Sequence, residues 1–152
     1  MNDQQENMNN APEFVIQRIY VKDLSYEAPN VPEIFREEWK PQTELALDNN
    51  FKQLSDDTYE VALKLTVTVK LKDKTAFLVE AEEAGIFTLK GFIGDQLEAM
   101  LESFCPNILF PYLREVISDA VNRGSFPPLY LTPINFDAIY KQKLDKKKDQ
   151  GN

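Results

Sequence analysis

The sequence of 152 residues contains no histidine and only one cysteine, Cys105. The absence of histidine excludes a Ser-His or Cys-His catalytic pair within the chain, and with it the imidazole ligands of most metal enzymes. A single cysteine excludes an intrachain disulfide and a thiolate metal cluster, so the sequence gives no sign of an oxidising compartment. Cys105 stands beside a proline in an apolar stretch, which predicts a buried, inert thiol. We therefore expect a protein that is not an enzyme and uses no cofactor or metal.

Basic residues are also fewer than acidic ones, with 17 Lys and Arg compared with 25 Asp and Glu. The net charge of −8 argues against a nucleic-acid binder, which needs clustered positive charge to displace counterions from phosphates. A glycine-rich phosphate loop is missing, because Gly91-Phe92-Ile93-Gly94 is not followed by Lys-Ser or Lys-Thr. Adjacent acids such as Asp56-Asp57 and Glu82-Glu83 point to opposite faces of a strand and are interpreted as solvated positions.

Long apolar runs are absent as well. No stretch approaches the ~20 residues that cross a bilayer, and the polar residues 1–13 lack the basic start and apolar run of a signal peptide. Hydrophobic residues nevertheless make up 43% of the chain, which is enough to fill a core. We expect a cytoplasmic protein without direct membrane insertion. Its single domain should span 14–144, between a disordered leader at 1–13 and a flexible tail at 145–152.

Apolar periodicity predicts an α+β fold in which a four-stranded antiparallel sheet is followed by helices. The clearest strand is 59–71, where every second residue is apolar. The other strands are predicted at 14–26, 42–51 and 75–89, and short turns favour antiparallel pairing. After Gly91, apolar residues recur at three and four positions, as in helices. We predict a division near Cys105-Pro106, a left-handed cap at Gly124, and a last helix from about Asn135, which can cap it, to Leu144.

Strict alternation places apolar side chains on both faces of the first strand. These are Phe14, Ile16 and Tyr20 on one face and Val15, Ile19 and Val21 on the other. A sheet with two apolar faces must have both covered, and we favour a second copy of the chain over the polar terminal segments as the cover.

Several large aromatic residues lie outside the strongly periodic segments. They are Phe35, Trp39, Phe126, Tyr130, Phe136 and Tyr140. Such residues serve as satellite core or line a groove for an extended apolar ligand, and composition alone leaves both interpretations open.

Four strings of this sequence resemble the SecB family of bacterial cytosolic export chaperones. They are RIYVKDLSYEAPN at 18–30, CPNILFPY at 105–112, NRGSFP at 122–127 and PINFDA at 133–138. The resemblance runs from about Phe14 to Tyr140, in order and with nearly the same spacing. One departure is the basic segment 141–148, since SecB relatives often end in an acidic tail.

The resemblance implies a homotetramer, built as a dimer of dimers. It further implies a chaperone that binds unfolded secretory preproteins without ATP, keeps them competent for translocation and delivers them to the ATPase SecA. A different class of function stays open as an alternative, namely a small-ligand-binding domain or an enzymatic domain with a carboxylate-based site.

Two sets of site residues follow from the resemblance. The contact with the basic, zinc-bearing C-terminal segment of SecA is assigned to Asp23, Glu27, Leu78 and Glu80, and the zinc belongs to the partner. The preprotein groove is assigned to Phe35, Trp39, Leu45, Leu47, Phe136, Ile139 and Tyr140. Val79 and Ala81, which alternate with Leu78 and Glu80, are expected to help join subunits.

Overall fold

The computed structural model describes residues 11–150, so the predicted leader lies mostly outside the described residues, as do positions 151 and 152. The strands are β1 (Glu13–Glu27), β2 (Gln42–Ser55), β3 (Thr58–Leu71) and β4 (Lys74–Lys90), with a 3-10 turn at Glu33–Arg36. The helices are α1 (Asp95–Ala99), a π-helical segment (Met100–Phe104), α2 (Cys105–Arg123) and α3 (Phe136–Gln150). The predicted α+β class and the order of strands before helices are confirmed.

The strands form one antiparallel sheet in the order β1-β4-β3-β2, and α2 packs across the two central strands. We call the side that α2 covers the helix face and the opposite side the outer face. The helix face of the central strands is at most 1% exposed at Val61, Leu63, Leu65, Val67, Val69, Phe77, Val79, Ala81 and Phe87. Burial of apolar surface stabilises a fold by about 25 cal/mol per Å². This interface is therefore the main core of the protein.

Two β-bulges in β1 change the faces that simple alternation predicts for this strand. Gln17 and Lys22 are the extra residues, because the register advances by two on β1 and by one on β4 at each of them. Each bulge shifts the following residues to the other face. The helix face consequently receives Phe14, Ile16, Ile19, Val21, Leu24 and Tyr26. The prediction of two apolar faces is wrong for Ile19 and Val21, and only Val15 and Tyr20 stay on the outer face.

The helical region is continuous where the sequence predicts a division at Cys105-Pro106. The π-helical segment ends at Phe104, so Pro106 lies in the first turn of α2. In a π-helix the amide of residue 106 would bond to the carbonyl of Leu101, five residues earlier. Proline has no amide hydrogen to donate, and the Leu101 carbonyl instead accepts a long hydrogen bond of 3.4 Å from Asn49 Nδ2 of β2. The sheet thus satisfies the group that the proline leaves unpaired.

The end of α2 also differs from the prediction. Gly124 has a right-handed φ of −80°, and the left-handed residue is Ser125, with a φ of 63°. Glycine is required at position 124 for space, because a Cβ there would lie 1.9 Å from the hydroxyl oxygen of Tyr26. The missing side chain lets the helix end approach β1 closely.

The last helix begins as predicted but ends later. The side-chain oxygen of Asn135 accepts a hydrogen bond of 3.0 Å from the amide of Ala138, which is the expected N-terminal cap. The helix then continues to Gln150, whereas the sequence predicts its end at Leu144. Residues 145–150, predicted as tail, are therefore helical.

Two ion pairs join α3 to the preceding helical segments. Lys143 Nζ lies 3.1 Å from a carboxylate oxygen of Glu102, and Lys147 Nζ lies 3.7 Å from one of Glu98. The basic residues that set this tail apart from acidic relatives thus face acids of α1 and the π-helical segment. None of the helices between residues 11 and 150 has the length and apolarity that a membrane crossing requires.

Candidate functional site

The four residues assigned to the SecA contact come together on the outer face. β1 and β4 are neighbours, and their register places Glu27 opposite Leu78 and Ser25 opposite Glu80. Asp23 is opposite Glu82, one pair further along. We call Asp23, Glu27, Leu78 and Glu80 the acidic patch. Three carboxylates and one apolar side chain on two paired strands offer a rigid surface to a basic partner.

The carboxylates of the acidic patch differ in their counter-ions. Glu80 pairs with Lys64 of β3, with 2.6 Å between Nζ and Oε1. Asp23 and Glu27 are exposed and form no ion pair with another residue between 11 and 150. Most of the negative charge of the patch is thus uncompensated within the described chain.

A polar network borders the acidic patch, and sequence reasoning missed it. Tyr20 of β1 donates a hydrogen bond to Glu60 of β3, and Lys22 Nζ lies 2.8 Å from the same carboxylate. Ala84 stands opposite Tyr20 on the intervening strand, and its small side chain leaves room for the ring to reach across. Only the strand order reveals this contact, so no sequence signal could have found it.

The contacts of this network determine the charge states of Glu60 and Tyr20. Burial alone would raise the pKa of Glu60, but the hydrogen bonds from Lys22 and Tyr20 outweigh it and hold that pKa below its usual value. Burial and the neighbouring Glu60 raise the pKa of Tyr20 to about 12. At neutral pH the network therefore contains an ionised carboxylate between two donors. Glu60 is already satisfied and offers little to a partner.

The residues assigned to the preprotein groove fall into three clusters on the helix side of the molecule. In the first, Phe35 and Trp39 pack against Phe126, with ring centroids 5.0 and 5.8 Å apart. Phe126 in turn lies 5.0 Å from Phe77 of the core. Phe35 is 48% exposed, so about half of its own side chain remains open to a ligand, while Phe126 is buried.

The second cluster lies along the edge strand β2. Leu45 and Leu47 belong to its helix face, opposite Val67 and Leu65, and Leu45 is 56% exposed. Leu45 lines a cavity of about 190 Å³, together with Thr43, Leu65, Phe110, Leu129, Tyr130, Leu131, Thr132 and Ile134. The loop after α2 forms one wall of this cavity, and its Tyr130 is 87% exposed. Tyr130 is one of the aromatic residues outside the periodic segments of the sequence, and it is not among the residues assigned to the groove by resemblance.

The third cluster belongs to α3 and is more buried. Phe136 and Tyr140 are 4% and 7% exposed, and Phe136 packs against Phe110 at 6.0 Å between ring centroids. Ile139 is 37% exposed. Phe110 connects this cluster to the cavity beside Leu45. Phe136 and Tyr140 are thus largely inaccessible to a ligand, and Ile139 is the member of this cluster that faces solvent.

Val79 and Ala81 occupy a different environment from the one the sequence suggested. Both lie on the helix face and are fully buried within a single chain. They therefore present no surface for direct contact with a second copy, because the alternation of β4 directs them beneath the helices.

Cys105 is fully buried too, and burial raises the pKa of its thiol to about 12, so it is not a reactive thiolate at neutral pH. In residues 11–150, no group of three or more potential metal ligands is gathered at one place.

Comparison with known proteins identifies the family. The family model described as SecB, preprotein translocase subunit SecB, matches residues 7–147. The protein-export protein SecB of Marinobacter nauticus is 53% identical over 142 residues, which cover 93% of this chain and 86% of the relative. That of Legionella pneumophila is 54% identical over 139 residues, covering 91% and 86%. The chain belongs to the SecB family. Nothing in these comparisons supports the alternative of a small-ligand-binding or carboxylate-based enzymatic domain.

The fold of this chain is also similar to that of a solved structure. The Mycobacterium tuberculosis Rv1957 SecB-like chaperone, solved in complex with a ChAD peptide from the Rv1956 HigA1 antitoxin, superposes with a TM-score of 0.65. The two sequences are 18% identical, and the match covers 80% of this chain and 90% of that one. At this identity the likeness concerns the fold alone.

Proposed function

We propose that this member of the SecB family is a cytoplasmic export chaperone that holds unfolded secretory preproteins without ATP and delivers them to SecA. The observation that carries the proposal is the open apolar surface beside α2. Leu45 is 56% exposed, Phe35 48% and Tyr130 87%, although a monomeric protein rarely leaves such a surface uncovered without a use for it.

The open surface suits extended and variable clients better than one compact ligand. The helix-side clusters include the Phe35 aromatic group and the cavity beside Leu45, and the cavity itself is only about 190 Å³. A flexible client loses conformational freedom when it binds, and many weak apolar contacts offset that loss without requiring one sequence. Preproteins in this arrangement exchange between contacts and stay unfolded.

The acidic patch provides the delivery surface in this proposal. Asp23, Glu27 and Glu80 attract the basic, zinc-bearing C-terminal segment of SecA, and Leu78 supplies an apolar contact between them. The patch lies on the outer face, whereas the client clusters lie on the helix side. One chain therefore contacts SecA and a preprotein at the same time.

Assembly as a dimer of dimers is supported by the apolar residues of β1. Ile16, Val21 and Leu24 are 43–48% exposed on the helix face, at the edge that α2 leaves open. A second copy that covers them removes apolar area from water and protects an unpaired strand edge. Val79 and Ala81 influence assembly only indirectly, through the packing of α2 above them.

The proposal is tested by aggregation of an unrelated, chemically denatured protein diluted into buffer without nucleotide. The intact protein should suppress light scattering at a near-stoichiometric ratio of tetramer to client, and its own mass should be four times the 17.5 kDa of one chain. Bovine serum albumin at equal mass concentration is the control for crowding. Unabated aggregation at several-fold molar excess would contradict the holding function and return the alternative to consideration.

A further inference from the structure

A cation of the same chain, Lys64, lies beside the acidic patch and pairs with one of its members. Lys64 of β3 is directly opposite Glu82 of β4, which in turn is opposite Asp23 of β1. These three residues therefore lie side by side on the outer face, one on each of three neighbouring strands. The Lys64 ammonium turns from this row to Glu80 and lies 2.6 Å from its carboxylate. The side chains are 42% and 30% exposed, so the pair is accessible from solvent.

Lys64 is the basic residue that the patch engages directly. Lys22, the other nearby cation, is occupied by Glu60 at 2.8 Å. Hydrogen bonding and attraction to Glu80, and lesser attraction to Glu82 and Asp23, raise the pKa of Lys64, so it is fully charged at neutral pH. A basic partner that approaches Glu80 therefore meets a carboxylate that already has a counter-ion.

We propose that Lys64 is a specificity residue of the SecA contact, acting as an internal competitor that must leave Glu80 before the partner's basic segment can bind it. This inference rests on the proposed SecA contact. The competition lowers the affinity of the partner's basic segment for Glu80, and a lower affinity favours release of SecA after the preprotein has been delivered. It also favours segments with several positive charges over weakly basic ones, because each additional charge helps to offset the attraction between Lys64 and Glu80.

The experiment measures binding of a synthetic, zinc-loaded peptide of the SecA C-terminal segment to the intact protein by calorimetry at low salt. Lys64→Met should bind about two- to fivefold more tightly than the wild type, since an exposed ion pair has a modest strength and is screened by salt. The gain should disappear at high salt. Lys64→Arg retains the counter-ion and should give no gain.

Lys70→Met is the matched control. Lys70 lies on the same strand and face, six residues or about 20 Å along β3. Its nearest carboxylate, at 4.0 Å, is Glu44, outside the acidic patch. This variant loses the same charge and should change the affinity by less than half of the Lys64 effect.

A double-mutant cycle separates competition from a general change of charge. Glu80→Gln should weaken binding more in the Lys64→Met background than in the wild type, because only there is Glu80 free. Asp23→Asn should weaken binding equally in both. If Lys64→Met binds no better while Asp23→Lys with Glu80→Lys abolishes binding, the role of Lys64 is refuted and the SecA contact stands. If that double reversal has no effect, the contact itself is refuted, and this inference with it.

Discussion

The two faces of the sheet use the same strands in opposite ways. On β3, Leu63 and Leu65 are buried beneath α2, while Lys64 and Thr66, which alternate with them, are partly exposed on the outer face. The helix face is apolar except for the buried Glu83 and fills a core, but α2 covers only its centre, so Leu45 on one edge and Leu24 on the other remain about half exposed. The outer face is organised by ion pairs. A single alternating strand thus separates an adaptable apolar surface from a fixed charged one.

The largest expected difference between the faces is in stability. Leu63→Ala should lower the free energy of unfolding by about 2–5 kcal/mol, because it leaves a cavity in a fully buried site. Thr66→Ala, three positions away on the outer face, should change it by less than about 0.5 kcal/mol. Urea unfolding at one fixed protomer concentration measures both, since assembly makes stability concentration-dependent. Equal losses would show that the outer face is packed as tightly as the core.

The second difference is in binding, and each face should affect only its own partner. Asp23→Lys combined with Glu80→Lys should weaken SecA binding about tenfold or more at low salt, since repulsion replaces attraction at two positions. Suppression of client aggregation should not change. Leu45→Asp should do the reverse, with several-fold weaker client holding and unaltered SecA binding. Both variants should keep the wild-type mass by light scattering. An effect of either variant on both partners would break the separation of the two faces.

The smallest effect concerns acid stability of the outer-face network. The folded pKa of Glu60 lies below its ordinary value of 4.5, so the ionised carboxylate stabilises the folded state above that pH and ceases to do so as the pH falls through the lowered pKa. Glu60→Gln should therefore cost about 1 kcal/mol or less at pH 7. The difference from the wild type should shrink towards pH 3. Thermal unfolding at both pH values, with Glu44→Gln as an exposed control, measures it. A difference independent of pH would rule out ionisation as its origin.

The sequence predicted the elements that depend on local pattern. β3 followed strict alternation and was found at Thr58–Leu71, within one residue of its predicted start. The Asn135 cap needs only a short polar side chain three residues before its donor, which the sequence displays directly. The acids of the patch were placed by resemblance to SecB, and the strand order then brought them together.

What the sequence could not predict depends on contacts between distant segments. The role of Gly124 follows from the position of Tyr26, almost one hundred residues earlier, so a cap was the only local interpretation. The continuity of the helices at Pro106 depends on a hydrogen bond from Asn49 to the Leu101 carbonyl. Lys64 could not be identified as the counter-ion of Glu80 until β3 and β4 were paired in register.

Gln17 and Lys22 are two single extra residues in β1, and each shifts the alternation of the strand by one position. The first changes the phase of the strand, and the second restores it, so that Leu24 and Tyr26 are again in phase with Phe14 and Ile16. Deletion of Lys22 alone would remove its bulge and leave Asp23 and Glu27 on the outer face, opposite Glu82 and Leu78. Deletion of a paired residue such as Ser25 would instead move Tyr26 to the outer face and Glu27 to the helix face, because the side-chain period of a strand is two. Among descendants of this sequence, each extra residue can therefore be lost by itself, whereas the number of paired residues in β1 should stay constant.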